Sequence, residues 1–598
     1  MPRLSGHFLF IYFWSRSLID LPLRTKFILF SCTLLFLNIS TFSQGYERID
    51  LFSGPEHYQF TFFNQFHYDD FSYRFSSNLN KVENSFGKRF ALPSTSVFSL
   101  NDSLLLDSLK AVSNIYLVLG SQKNQALQLE NLQKIGKSTF LYLNYNSIAS
   151  LGFLKNSASR NRSFILKIAH ESKSYNLNAD FLIASNYDAA CGGIIDSIIP
   201  SYYSKRDLQQ LNVNLTNDYL KKKYLNVALS HNFKLFNSSN SEKELSLSLN
   251  NNYSKYDYLY SGDGFNTFYE NVFNDSSATN DTCGYSWFKN EVGINTKLKS
   301  LLISVKAINN DFNLQMLDSV YNFIDWSVDA SFSITKNNFN FYGSYSKNLG
   351  SNFRGDNENA KVGLLYVFKN NNLKSVELIS SYCMRNVPFV YQKQFSNHFY
   401  WNELSETPVV EMMNKVNVKV KNNFIISGSI TNYEKRVYLK ENISPALSRN
   451  QENIIGLQAS YNDTVGKLHV IEIAAYNNSN SALFPVVPFQ SFTRVGYMFS
   501  LFKNNLKVEA GVSSVYNDSW YATSYSPALD DFYLQTEKKY GGLTVLNLFA
   551  DFKIKSATLF LKVERVNIGW FKENSFIREG YIAPPRTIRF GFNWPLAN

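Results

Sequence analysis

Residues 416–431 have the sequence VNVKVKNNFIISGSIT. Valine alternates with Asn417 and Lys419 before residues 421–423 (KNN), and apolar side chains alternate with serine and threonine after them. A period of two on both sides of a short, asparagine-containing turn is typical of a β-hairpin. The stretch therefore predicts two antiparallel strands, each with one apolar and one polar face.

The same unit recurs through the second half of the chain. Its other turns are at residues 336–338 (KNN), 369–372 (KNNN), 503–505 (KNN) and 555–557 (KSA). Longer polar connections separate these units, for example residues 386–410, 517–540 and 571–584. Strands of about ten residues, joined alternately by short and long connections, are typical of outer-membrane barrels. We therefore predict an all-β fold: a transmembrane, antiparallel up-and-down β-barrel with an even number of strands, about 18–22.

A secreted β-sandwich or β-helix is the alternative class for this pattern. Sandwich strands usually contain about five or six residues, whereas these segments are longer. Their second face repeatedly carries Lys, Asn, Glu and Ser, as the wall of a water-filled lumen would. A β-helix would need a fixed short repeat, and we find none. Aromatic residues make up 16% of the chain, which fits a barrel's aromatic girdles but also an AT-rich genome.

The N-terminal region predicts export across the inner membrane. Arg24 and Lys26 precede the apolar segment 27–39 (FILFSCTLLFLNI), and small residues follow as far as Ser43. A basic region, an apolar core too short to span a bilayer and a small-residue cleavage site are typical of a signal peptide. We predict a cleaved signal peptide over residues 1–43. This is unusually long for a signal peptide, and one interpretation is that the start codon is assigned too far upstream.

The rest of the chain is predicted to have two parts. Residues 44–110 are irregular and are interpreted as a periplasmic extension or a lumen insert. Residues 111–598 are interpreted as the barrel. Barrel termini normally lie in the periplasm, so the short turns would face the periplasm and the long loops the exterior.

The C-terminal strand is the most aromatic of the predicted strands. Alternation points one set of side chains to the lipid: Ile588, Phe590, Phe592 and Trp594. Such a strand resembles the signal read by the machinery that inserts outer-membrane barrels. Residues 595–598 follow the last aromatic residue, whereas such proteins usually end there. We expect that machinery, periplasmic chaperones and outer-membrane lipid to be partners of the chain.

Several segments resemble the putative porin family of Bacteroidota. They are residues 116–133 (YLVLGSQKNQALQLENLQ) with 152–156 (GFLKN), residues 191–194 (CGGI), and residues 580–594, which end in RTIRFGFNW. Together they extend from about residue 115 to the end of the chain, and residues 45–110 lie outside the resemblance. It implies an outer-membrane β-barrel that acts as a porin, and it says little about the solute.

No enzymatic, metal or cofactor site is predicted. The seven histidines never stand at a metal-ligand spacing, and no nucleophile elbow or phosphate-binding glycine loop is present. His469 lies in an alternating strand, but a lone histidine is far more often structural than catalytic. The acids within residues 253–274 lack the spacing of a calcium loop, so a solvated loop is the simpler interpretation. The net charge of +11 is spread along the chain, which argues against nucleic-acid binding.

Alternation also predicts which polar side chains line the lumen. The candidates are Lys415, Asn417, Lys419, Lys553, Lys562, Arg589 and Asn593. Rings of lysine and arginine favour anions, although these residues are equally well explained as ordinary wet positions without a role in selectivity.

Three functions are compatible with such a barrel. The first is a porin-like channel for passive diffusion of small hydrophilic solutes, weakly anion-preferring. The second is a closed or plugged barrel that acts through its long loops as an adhesin, a scaffold or an accessory of secretion or uptake. The third, an active receptor of the TonB-dependent type, is disfavoured because only residues 44–110 are left to form a plug domain.

Overall fold

A computed structural model describes residues 111–195, 205–237, 243–264, 267–317, 319–350, 357–369, 373–402, 404, 408–421, 424–570, 576–583 and 585–597. The predicted signal peptide (1–43) and the segment 44–110 lie outside the described residues. No described helix is both long enough and apolar enough to cross a membrane.

Twenty-two antiparallel strands form one closed sheet. In chain order they are β1 (Ala111–Gly120), β2 (Asn124–Ile135), β3 (Thr139–Ser150), β4 (Ser159–Glu171), β5 (Tyr175–Ala189), β6 (Tyr219–Asn237), β7 (Lys243–Asp263), β8 (Ala278–Leu298), β9 (Leu301–Met316), β10 (Ser319–Lys336), β11 (Phe339–Asn348), β12 (Glu358–Val367), β13 (Leu373–Asn386), β16 (Pro408–Val420), β17 (Phe424–Glu434), β20 (Glu452–Val465), β21 (Leu468–Ser479), β22 (Phe489–Leu501), β23 (Leu506–Asn517), β26 (Leu543–Ile554), β27 (Ala557–Glu564) and β30 (Thr587–Ala597). Each strand pairs with its neighbour in the chain, and β30 also pairs with β1. The prediction of an even-numbered antiparallel barrel is confirmed.

The remaining described elements lie in the connections. Four two-stranded hairpins are formed by β14 (Gln394–Phe395) with β15 (Tyr400–Trp401), β18 (Val437–Leu439) with β19 (Pro445–Leu447), β24 (Ser524–Ser526) with β25 (Asp531–Tyr533), and β28 (Phe576–Arg578) with β29 (Tyr581–Ile582). Two short helices are α1 (Lys205–Gln210) and α2 (Phe389–Gln392).

The two ends of the barrel differ in the length of their connections. At one end, here the short-turn end, tight turns join the strands, and β1 begins and β30 ends there. The predicted Lys-Asn-Asn turns that the structure describes in full, at residues 336–338 and 503–505, lie at this end. Lys503 and Asn504 have φ angles of 54° and 69°, which suits the primed turns that hairpins favour. All the described long connections lie at the other end, here the long-loop end.

The two faces of the sheet differ in chemistry, as alternation requires. Ile588 and Phe590 on β30 are 54% and 53% exposed on the outer face. Arg589 between them is 2% exposed and points into the barrel. The outer face is therefore apolar and suits lipid, whereas the inner face carries most of the polar and charged side chains of the strands.

Candidate pore and its mouth

All seven predicted lumen residues occupy inward-facing positions of the register. Lys415, Asn417 and Lys419 lie on β16, Lys553 on β26, Lys562 on β27, and Arg589 and Asn593 on β30. The structure places Lys562 directly opposite Arg589. The residues of β16 are several strands away from those of β26, β27 and β30. The seven residues therefore do not form one ring, and their role in a pore stays a prediction.

Acids accompany the inward-facing bases. Glu564 lies 3.0 Å from Lys562 Nζ and 2.8 Å from Arg589 Nε. Asn417 Nδ2 donates a hydrogen bond to Glu377 Oε2 at 2.9 Å. The same alternation that selected the lysines also marks these acids as inward-facing. They reduce the anion preference that the lysines alone would predict, because close opposite charges cancel at longer range.

A second charge cluster, which the sequence analysis did not single out, lies on β22, β23 and β26. The Arg494 guanidinium lies 2.7 Å from Asp551 Oδ2 and 3.1 Å from Glu509 Oε1, and it covers the Phe549 ring at 3.5 Å. His469 Nδ1 lies 3.1 Å from the same Glu509 oxygen. One arginine thus holds two inward-facing carboxylates, and His469 has a structural partner.

If ions pass through this lumen, replacing Arg494 with glutamine should make their passage more cation-selective. The substitution leaves Glu509 and Asp551 without their arginine, and one unit charge changes a nearby ion's energy by about 1 kcal/mol in water, which is roughly fivefold in a partition ratio. Reversal potentials in a salt gradient measure the change. Lys503→Gln, at an exposed turn, removes the same charge outside the lumen and should leave the potential unaltered. An unaltered potential in the Arg494 variant would mean that ions do not pass this cluster.

One long connection crosses the mouth at the long-loop end. Residues 518–542 join β23 to β26 and are called here the crossing loop. Its Asp530 forms an ion pair with Lys222 of β6, and Tyr258 of β7 donates a hydrogen bond to the Ala528 carbonyl at 3.5 Å. In the closed sheet, β6 and β7 lie on the opposite side from β23 and β26. The crossing loop therefore spans the opening from wall to wall.

Neighbouring loops hold the crossing loop along its length. Arg578 Nη1, from the connection between β27 and β30, donates to the Thr523 carbonyl at 2.6 Å. The Leu534 amide donates to the Leu439 carbonyl of β18 at 2.9 Å. Arg578 is 1% exposed and its guanidinium lies 4.4 Å from the Phe532 ring. The loops therefore pack as one layer over the mouth.

A second connection enters the same layer from the side. Residues 387–402, between β13 and β16, place Phe389 of α2 against Tyr321 of β10, with ring centroids 4.9 Å apart. Tyr391 of this segment donates a hydrogen bond to Asp531 of the crossing loop. This contact joins two loops that begin on separate parts of the barrel wall.

Buried polar groups lie where these loops meet β7. The Ala528 amide donates to Tyr269 Oη at 3.0 Å, and the Tyr269 ring stacks on His398 at 4.2 Å. Tyr260 donates to Asp218 Oδ1 at 2.5 Å. Burial raises the pKa of Asp218 to about 6 and lowers the pKa of His398, because both charged forms lose hydration. Asp218 is therefore ionised at neutral pH and takes up a proton as the pH falls through about 6.

Two of the glycines in the family-like segments touch each other at the long-loop end. The Ile194 amide donates to the Gly580 carbonyl at 2.8 Å. Gly193 and Gly580 have φ angles of 82° and 68°. A Cβ on Gly193 would lie 2.9 Å from the Gly580 Cα. Glycine is thus required at residue 193 both by the backbone angle and by the close approach.

The same segments contribute to a small apolar core formed by connections at the long-loop end. Asn156 Nδ2 donates to the carbonyls of Ala190 and Asp218, at 2.9 Å each. The core consists of Phe153, Leu154, Cys191, Ile194, Leu208, Val213, Ile568 and Ile582. Three connections that are distant in sequence are therefore held together by the segments that resemble the family. The sequence alone did not indicate that these segments contact one another.

Gly193→Ala should lower the thermal stability of the folded barrel more than Gly136→Ala does. Both glycines have positive φ angles, but a Cβ on Gly136 would meet nothing within 4 Å. The left-handed conformation costs alanine roughly 1–2 kcal/mol at either position, and overpacking adds about 1–3 kcal/mol at Gly193 alone. The temperature at which the compact gel band disappears measures the difference. Equal losses in the two variants would contradict the close-approach argument.

The described residues contain no group of three or more His, Cys, Asp or Glu side chains that could hold a metal ion. The described cysteines, Cys191, Cys283 and Cys383, are not joined by a disulfide. Within the part of the chain that the structure describes, the candidate site consists of the polar lumen and the loop layer over its mouth.

Comparisons with known proteins give two kinds of match. A family model described as "Putative porin" matches residues 106–598. Solved structures with the same fold include the FrpB iron transporter from Neisseria meningitidis (F3-3 variant), with 12% identity, coverage of 84% of this chain and 83% of that chain, and a TM-score of 0.57. The ferric preacinetobactin receptor BauA from Acinetobacter baumannii has 10% identity, coverage of 82% and 80%, and a TM-score of 0.53. No curated protein matches the chain. At these identities the structural matches show the fold alone.

Proposed function

The chain belongs to the putative porin family, and from that membership we propose that it is an outer-membrane channel for the passive diffusion of small hydrophilic solutes. The observation that carries the proposal is a closed 22-stranded barrel whose inner face is polar and whose outer face is apolar. A barrel of this size encloses a wide lumen unless a segment fills it. The mechanism is diffusion through water, without a chemical step.

The proposed orientation places the short turns in the periplasm and the long loops outside the cell. Outer-membrane barrels have short periplasmic turns and longer exterior loops, and the two ends of this sheet differ in that way. The crossing loop would then narrow the exterior entrance. Solutes would pass beside it, so size would decide permeation more than charge does.

Ion selectivity in this channel should be weak. The inward-facing bases lie beside acids, as in the Lys562, Glu564 and Arg589 cluster and the Arg494, Glu509 and Asp551 cluster. A lumen with matched charges lacks the single-sign ring that selects ions strongly. The anion preference is retained as a small effect to be measured.

Single-channel recording tests the proposal. The chain from residue 44 onward would be refolded, its folding confirmed by heat-modifiable gel migration, and the protein inserted into a planar bilayer. Stable open steps of small conductance are the expected result. A folded barrel that never conducts would overturn the porin proposal.

That negative outcome would favour a second function, a closed or plugged barrel that works through its loops. The loop layer over the mouth supports this alternative, because the crossing loop reaches both walls. The structural neighbours are named an iron transporter and a ferric preacinetobactin receptor, and a related uptake role is the form of the alternative that we propose. Residues 44–110 are proposed as the periplasmic or lumen segment in either case.

A further inference from the structure

A cluster of basic side chains lies on the outer face of the barrel, near the long-loop end. It consists of Arg160 and Arg162 on β4, Lys221 and Lys223 on β6, and Lys255 on β7, and is called here the basic patch. All five residues are exposed. Charged side chains on the lipid face of a barrel are costly near the bilayer midplane but tolerated near its interfaces. Their position along the strands therefore decides whether they lie in the lipid tails or among the head groups.

The strand register brings the basic patch together. Arg160 is opposite Tyr187 of β5, which is opposite Lys221. In the next outward-facing row, Arg162 is opposite Ser185, which is opposite Lys223. Adjacent strands are about 4.8 Å apart and rows about 7 Å apart, so these four cations surround an area roughly 10 Å by 7 Å.

Lys255 and one acid complete the basic patch. Lys255 Nζ lies 3.6 Å from Asp257 Oδ1, and both side chains are about half exposed. Asp257 is opposite Lys223. The bases therefore outnumber the acid, and a net positive charge is left on this surface.

The level of the basic patch coincides with the edge of the apolar band. The next outward-facing row toward the short-turn end contains Phe164, Ile183 and Leu225 on β4 to β6, and Lys255 continues this row on β7. On β5 the outward-facing apolar positions continue from Ile183 down to Tyr175. Eight residues of strand tilted by about 40° rise roughly 20 Å, close to the height of about 25 Å expected for the apolar band. The cations of the basic patch on β4 and β6 therefore begin where lipid tails end and head groups start, and Lys255 lies at that boundary.

Stacked tyrosines mark the same level. Tyr187 and Tyr219 face outward with ring centroids 5.5 Å apart. Lys221 Nζ lies 4.6 Å from the Tyr219 ring. Tyrosine is enriched at membrane–water interfaces because its ring is apolar and its hydroxyl is hydrated, so the tyrosines independently place this surface at the head groups.

We propose that the basic patch binds the phosphate groups of a lipid in the exterior leaflet. Arginine presents a fork of donors that matches phosphate oxygens, and clustered lysines add charge. The apolar side chains directly below the patch would contact the acyl chains of the same lipid. The inference rests on the proposed outer-membrane orientation, but not on whether the barrel conducts.

Native mass spectrometry of the full refolded chain in detergent tests the proposal. The probe is lipid A, a glycolipid with two phosphate groups, and the comparison lipid is the same molecule after phosphatase treatment. The variant replaces five residues with glutamine: Arg160, Arg162, Lys221, Lys223 and Lys255. We expect the wild-type chain to retain the phosphorylated lipid, and the variant to bind it at least about tenfold more weakly.

A control variant removes the same number of positive charges at the other end of the barrel. It replaces five exposed residues with glutamine: Lys299, Lys336, Lys421, Lys503 and Lys555. This control should bind lipid A as the wild-type chain does. Equal weakening in both variants, unchanged binding in the patch variant, or equal binding of the dephosphorylated lipid would overturn the proposal.

A smaller variant keeps the test valid if five substitutions hinder refolding. Lys221→Gln with Lys223→Gln removes two adjacent, exposed cations of β6, and it should still weaken binding several-fold. Single-channel recording of the same variant should give the wild-type conductance. A wild-type chain that conducts but does not retain lipid A would overturn this inference alone, whereas a wild-type chain that retains lipid A but never conducts would overturn only the porin proposal.

Discussion

Shortening the crossing loop should raise the single-channel conductance by roughly tenfold, because a 22-stranded barrel without an obstruction has a wide lumen. Trp520 and Tyr540 exchange backbone hydrogen bonds of 2.9 and 2.8 Å at the base of the loop. Replacing residues 521–539 with Asn-Gly, a pair that favours a tight hairpin turn, would close the chain just beyond this pair. The variant loses the contacts to Lys222 and Tyr258 on the opposite wall.

A matched control shortens a different loop at the same end. Replacing residues 440–444, the tip of the β18–β19 hairpin, with Asn-Gly removes the contact of Glu441 with Thr536 of the crossing loop, but it keeps the contacts of that loop with Lys222 and Tyr258. Its conductance should equal that of the wild-type chain. If both variants behave like the wild type, the crossing loop is not the constriction. The narrowest point must then lie in another part of the loop layer, in the lumen or in a segment outside the described residues.

The barrel could be predicted because its signals are local. The Lys-Asn-Asn turns and the alternation around Val416–Val420 each need only a few neighbouring residues, and the closed sheet repeats that one unit. Alternation also predicted the direction in which side chains such as Lys562 and Arg589 point. The strand register places both on the inner face of the sheet. Because side chains alternate with a period of two, assigning one face of a strand to lipid also fixes which side chains face the lumen.

The loop layer could not be predicted in the same way. Ala528 and Tyr258 are 270 residues apart in sequence, and neither lies in a pattern that indicates its partner. The contact exists because a sheet that closes brings distant strands within reach of one loop. The Cys-Gly-Gly-Ile segment shows the same limit: its sequence resembles a family segment, but it does not indicate that Gly193 would touch Gly580.

Identifying the basic patch required both the local alternation of the sequence and the strand register of the structure. Alternation alone would place Arg160, Arg162, Lys221 and Lys223 on the outer face. Only the register shows that the residues of β4 and β6 lie in two adjacent rows on either side of β5. An anion-binding surface can therefore be built from basic residues that no sequence motif groups together.

Gly591→Val should almost abolish formation of the folded barrel. Gly591 lies on β30, the strand that closes the sheet by pairing with both β27 and β1. A Cβ at this position would lie 2.0 Å from the Leu117 carbonyl oxygen and 2.5 Å from Phe560 Cζ. The side chain of Phe560 can move, but the backbone of β1 cannot yield without breaking the closing ladder. The folded fraction after refolding, measured by heat-modifiable migration and protease resistance, should fall nearly to zero.

Gly428→Val is the control, because it adds the same side chain to a barrel strand without a backbone collision. A Cβ on Gly428 would meet only Leu457 Cδ2, at 3.5 Å, which is an ordinary contact distance. Gly428 is opposite Val416 and Leu457, which are exposed on the outer face, so added apolar surface there faces lipid. This variant should refold like the wild-type chain. A normal folded fraction for Gly591→Val would show that β1 and β30 can separate locally to admit a side chain. The barrel would then close without the full set of hydrogen bonds between these two strands.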